Sequence, residues 1–333
     1  MKISRKQLYI FILHILIITI SHTYSFSLSI LAAENITPHF NADSAYYFIE
    51  QQVKFGPRVP NTPPHRLCKK YLKKQLEQHG AKVLMQKFQA FSFDNKNLKL
   101  CNIIGSFNPA CIQRILLAAH WDTRPFADKD TISKQTPIMG ANDGASGVGI
   151  LLEIARIISQ MPPKNIGIDI IFFDGEDYGP PEWYKDKLTN QVSFWCLGSR
   201  FWSQHMHQQN YTANYGILLD MVGSKHATFY QEGWSSHFTP KYLARIWNIA
   251  HELGHEKYFI KQPSQHYILD DHYFVNKHAA IPMINIIDHC LAPKNCFPSY
   301  HHTHADDLNL IDKQTLKAVG ETVLQAIYST PTK

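Results

Sequence analysis

Carboxylates and imidazoles in this chain gather in short, separated clusters: His120-Trp121-Asp122, Asp143 within Gly140-Ala-Asn-Asp-Gly-Ala-Ser-Gly147, Glu176-Asp177, Asp220, and Tyr300-His301-His302-Thr303-His304. Imidazole nitrogen with carboxylate oxygen is the donor set that zinc takes in a catalytic site that keeps one position open. Asp143, one of the Glu176-Asp177 pair and a residue of the Tyr300–Asp307 segment are the candidate ligands, with His120 and Asp220 at neighbouring strand ends. Each has a plainer reading. An Asp before an apolar run commonly just caps a helix, and paired acids at a strand end commonly sit in solvent. Position argues against this for Glu176-Asp177, because the preceding Ile170-Ile-Phe-Phe173 run buries the strand and leaves the pair at its mouth. Adjacent residues there point in different directions. One carboxylate can therefore bind metal while its neighbour faces substrate as a general base.

The elements that must position these groups follow from apolar spacing. Buried-strand runs occur at 98–104, 114–119, 168–173, 216–222 and 282–287, and helical spacing occurs at 45–55, 66–79, 146–159, 240–253 and 313–328. Alternating strands and helices predict an α/β fold: one mixed, mostly parallel sheet covered on both faces, in a single catalytic zinc-dependent domain over 35–333. The reactive clusters all follow strands, and ligands of an open α/β sheet bind outside the carboxyl ends of its strands.

His251-Glu-Leu-Gly-His255 has the letters of a different zinc signature. That motif works mid-helix, with both histidines on one face. Here Gly254 stands where a C-terminal cap belongs, so His255 is expected beyond the helix end.

Lys2, Arg5 and Lys6 precede an apolar run from Leu8 to Ile20, and Thr23-Tyr24-Ser25 offers a small-x-small cleavage site. Residues 1–25 read as an export signal, or as a short retained anchor. The expectation is a periplasmic or secreted protein with no stable membrane insertion once the signal is cut. Six cysteines show no metal-type spacing; Cys290 and Cys296 either close a short loop or are small buried thiols. The net charge of +6 is spread without runs, which argues against a nucleic-acid partner.

Taken in order from Phe55 to Tyr328, His120-x-Asp122, Gly-Ala-Asn-Asp143-Gly-Ala-Ser-Gly, Glu176-Asp177, Leu-Leu-Asp220-Met-Val-Gly and His302-Thr resemble the zinc aminopeptidase family that includes the glutaminyl cyclases. The resemblance implies a mixed sheet of about six strands flanked by helices. It also implies one of two chemistries. Aminopeptidases of the family hold two zincs, here through His120, bridging Asp143, Asp177, Asp220 and His302, with Glu176 activating a water. Cyclases hold one, through Asp143, Asp177 and His302. Asp270-Asp271-His272 looks like the cyclase version, in which Asp270 would share a short hydrogen bond with Asp220. Phe55-Gly-Pro-Arg58-Val-Pro60 and the insertion from Tyr178 to Cys196 also look like bacterial cyclases.

The expectation is one Zn2+ per chain and cyclisation of the N-terminal glutamine of peptides or proteins, with an exported dinuclear aminopeptidase as the alternative. Glu176, Asp270 and Asp220 are the expected catalytic residues. Two departures stand out. Many relatives have Glu where Asp177 stands, and His301 replaces a Trp that many cyclases carry, so the pocket wall is expected from His301, Trp183 and Trp195.

Overall fold

Four strands of uninterrupted burial make the centre of the molecule: β3 (Arg114–His120), β4 (Gly167–Phe173), β5 (Tyr215–Asp220) and β8 (Met283–Ile287). They pair in parallel in the order β4-β3-β5-β8. An antiparallel hairpin, β1 (Lys82–Phe91) and β2 (Asn97–Phe107), extends the sheet through β2 against β4 and completes six strands. Two short strands, β6 (Phe229–Gln231) and β7 (Phe259–Pro263), pair apart from it. The computed structural model describes residues 37–189, 192–292 and 296–331, so the candidate export signal lies outside the described residues. Pro38–Lys333 forms one compact unit.

Alternation along the strands sends neighbouring side chains into two cores. Leu117, Ala119, Ile170, Phe172, Ile217 and Leu219 enter the larger, packed by helices α1 (Ala42–Val53), α3 (Ala145–Gln160), α6 (Pro240–Glu252) and α8 (Lys313–Tyr328). Leu116, Ala118, Ile171, Phe173 and Leu218 enter the other with Trp202 of α4 (Leu197–Gln204). Helices α2 (Pro63–Gln78), α5 (Gly233–Phe238) and α7 (Asp271–Phe274) complete the α-helices among the described residues. Coverage of both faces is why the central strands read as continuous apolar runs.

The five expected strands and five expected helices are present, the 313–328 helix with the ends expected and the others with shifted ends. The 216–222 run is cut at Asp220, because Met221 takes a left-handed backbone (φ 48) and turns the chain. Strand β1 had no such run. It lies at the sheet edge with one fully buried position, Phe88, among Lys and Gln. Close approach of α3 to β5 requires glycine: a Cβ on Gly147 would stand 2.3 Å from the Leu219 carbonyl oxygen.

The His-Glu-x-x-His letters do not make a metal site. Helix α6 ends at Glu252 and Gly254 has φ +79, so the two rings diverge. His251 Nε2 lies 2.7 Å from the Phe259 carbonyl, whereas His255 Nε2 lies 2.9 Å from Glu321.

Candidate metal centre and reaction cavity

His120 and Asp220 are the last residues of β3 and β5, and Asp174-Gly-Glu-Asp177 leaves β4, so the parallel strands deliver the clusters to one edge of the sheet. Asp143 arrives from the turn before α3. It does not cap that helix. The cap position is Gly144 at φ 94, without a side-chain cap bond, and a Cβ there would meet the Asp122 carbonyl at 2.6 Å. Freed from capping, the Asp143 carboxylate reaches His120 Nε2 at 3.0 Å and His302 Nε2 at 3.8 Å.

Two buried acids hold these loops from behind. Asp306 accepts the backbone N–H groups of Asn142 at 2.6 Å and Asp143 at 3.0 Å, which fixes the turn that aims Asp143. Asp122 accepts those of Glu176 at 3.1 Å and Asp177 at 3.3 Å. Asp306 stood in plain view beside the histidine cluster. Only the folded chain shows its partner 164 residues away.

His302 has a left-handed backbone (φ 60), a conformation that persists where surrounding contacts demand it. Its Nε2 lies 3.2 Å from Asp177 Oδ1, and its ring is parallel to Trp195 at 6.1 Å and lies against His301 at 3.7 Å. Arg124 grips Asp128 through two nitrogens at 2.7 and 2.8 Å, touches Asp177 Oδ1 at 3.3 Å and lies over Trp195. The other oxygen of Asp177, Oδ2, is buried with no hydrogen-bond partner among the described residues.

This donor set fits zinc. Buried carboxylates and imidazoles converge, one carboxylate oxygen has no protein partner, and burial together with the nearby Arg124 charge pushes the His302 pKa well down, leaving a neutral ring with a lone pair to offer. Two overlapping donor groups share Asp143: one with His301 and His302, the other with His120 and Asp220. His301, expected only as pocket wall, is thus also close enough to be a donor; its Nδ1 lies 2.6 Å from Lys129 Nζ.

A cavity of about 340 Å³ opens on this centre, with Glu176, Asp220, Asp270, Trp195 and His301 among its walls. Trp183 is not among them; it is 42% exposed and packs edge-on against Phe126. Burial pushes the Glu176 pKa well up, and the negative charges of Asp270, Asp177 and Asp271 add to this against the pull of His120. Burial likewise lifts Asp220 to about 7, with Asp270 raising it and the His120 hydrogen bond lowering it. Asp143 is held below the usual carboxylate range, because hydrogen bonding and charge from His120 outweigh burial. The short hydrogen bond that the resemblance implied between Asp220 and Asp270 gives way to other partners: Asp220 Oδ1 lies 3.1 Å from His120 Nε2, and Asp270 Oδ2 accepts from Asn285 at 2.7 Å. The two acids still meet through their charges.

Comparison with known proteins places this geometry. Residues 102–327 match peptidase family M28. The crystal structure of a glutaminyl cyclase from Bacteroides thetaiotaomicron is 49% identical, with a TM-score of 0.85 over 89% of this chain and 100% of that one. A Zn-dependent exopeptidase from Parabacteroides distasonis is similar to the same degree, at 49% identity and a TM-score of 0.85 over 88% of this chain and 100% of that one. Among curated proteins, a glutaminyl-peptide cyclotransferase of Gloydius blomhoffii is 25% identical over 78% of this chain and 73% of its own length.

Proposed function

The chain belongs to peptidase family M28, and from that premise we propose that it is a glutaminyl cyclase, closing the N-terminal glutamine of peptides and proteins to pyroglutamate with release of ammonia. The observation that carries this reading is the cavity itself, which brings one buried carboxyl of raised pKa, Glu176, beside a zinc-type donor set in a space on the scale of one small ligand.

In the proposed reaction the α-amine nitrogen attacks the side-chain amide carbon, a C–N bond forms, and the bond to the amide nitrogen breaks. Asp143, Asp177 and His302 would hold one zinc ion per chain, which when bound polarises the amide carbonyl. Glu176 takes the proton from the attacking amine and delivers it to the departing nitrogen. Its raised pKa suits both transfers near neutral pH. Asp270, held by Asn285, and Asp220 stand on the same cavity wall and would hold the amide nitrogen in place. Because both reacting groups belong to one residue, the walls gain rate by fixing a folded conformer. Trp195 supplies the flat apolar side of the pocket.

The second reading is a dinuclear aminopeptidase, favoured by the His120, Asp143 and Asp220 donor group and by the exopeptidase relative. Incubating the protein with a Gln-initiated peptide separates the two. Cyclisation releases ammonia and leaves a product lighter by that mass, with one zinc bound per chain. Shortened peptide with free N-terminal residues and two zincs per chain would establish the peptidase instead. The N-terminal pattern supports a further proposal, export to the periplasm or medium; N-terminal sequencing of the mature protein beginning near Ser25 is its expected mark.

A further inference from the structure

The residue assigned as base, Glu176, has its backbone fixed on both sides. Asp122 takes its N–H, and its carbonyl accepts the N–H of Cys196 at 3.0 Å. The carboxylate is engaged as well. Cys196 Sγ donates to Glu176 Oε1 at 3.3 Å, and donor atoms of Glu176, Cys196 and Asp270 all lie within 4.8 Å of one another.

Cys196 is strangely placed for a core thiol. It is fully buried at the N-terminal cap of α4, with a left-handed backbone (φ 55, ψ 39) and no side-chain bond to the helix. Such a position favours glycine, and cap positions favour Ser, Thr, Asp or Asn. A cysteine there carries backbone strain without capping, and what the conformation achieves is to turn the thiol toward Glu176.

We propose that Cys196 is a positioning residue for Glu176: its S–H holds the carboxylate in the rotamer that faces the cavity. A thiol suits the task because it is a weak donor. It orients the carboxylate through one weak contact, which a serine hydroxyl can also make. Burial, with Glu176, Asp271 and Asp270 nearby, raises the thiol pKa well above its ordinary value, which keeps the proton on sulfur. This inference rests on the reading of Glu176 as base.

The test uses Cys196→Gly and Cys196→Ser in the zinc-loaded protein, with Gln-peptide cyclisation, zinc content and melting temperature as readouts. Glycine removes the donor and relieves the left-handed backbone, so stability is kept or raised while kcat falls about tenfold and KM stays within about twofold. Serine restores a donor and returns kcat to within about threefold of the parent. In a Glu176→Gln background, Cys196→Gly costs nothing further, since the two act as a unit. A glycine variant with parental kcat, or one whose loss persists in that background, overturns the proposal. A Glu176→Gln protein that cyclises at the parental rate instead overturns the base assignment, and this inference with it.

Discussion

Glu176 and Asp177 are neighbours in sequence, and burial pushes both pKa values well up, yet their partners differ. Asp177 faces Arg124 and His302, whereas Glu176 faces Asp270, Asp271 and a thiol. A base must be deprotonated to act, so activity rises with pH through the Glu176 pKa. Burial raises that pKa, so the acid limb of kcat/KM is expected above the ordinary glutamate value of about 4.3. Glu176→Gln is expected to lower kcat by about 10²- to 10⁴-fold with little change in KM, measured as ammonia release at saturating Gln-peptide. Retention of zinc in that variant would locate the loss in proton transfer. At this scale the sequence was informative wherever a reactive side chain stood in a recognisable motif. It was silent where the role lay in a distant partner, as for Asp306 behind Asp143, or in backbone conformation, as for Cys196. Trp183 and Trp195 looked equivalent as letters in one insertion. Only packing separates the one over His302 from the one at the surface.

Among the elements, the contact between α3 and β5 is the most demanding. The helix begins at the turn carrying Asp143, and the strand ends at Asp220, so their separation sets the spacing of two of the site's carboxylates. Gly147→Ala places a methyl where the Leu219 carbonyl leaves no room. The expected cost is about 1–3 kcal/mol, read as a lower urea midpoint, together with weaker zinc retention. The central strands were legible because burial on both faces leaves no polar alternation. The edge strand β1 was not, because its exposed face interrupts the apolar signal and its pairing with β2 depends on a neighbour that local pattern does not reveal.

At the scale of the whole molecule, the metal centre is a concentration of buried negative charge. Asp143, Asp177 and Asp220 meet there with the imidazoles of His120, His301 and His302, and burial pushes the pKa values of His301 and His302 well down. A cation relieves that repulsion only in the folded state. Removing zinc with a chelator is therefore expected to lower the melting temperature and adding zinc back to restore it, the bound ion contributing about 3 kcal/mol of stability when free zinc is at 100 times its dissociation constant. An unchanged melting temperature would show that these residues bind no zinc.

The three proposed ligands also come from widely separated stretches of chain: Asp143 early, Asp177 in the middle, His302 near the end. No short segment holds a complete set, so a nascent or truncated chain has nothing with which to compete for the ion. Metal capture then reports completed assembly, with His302 acting as the latch that joins the last of these stretches to the other two.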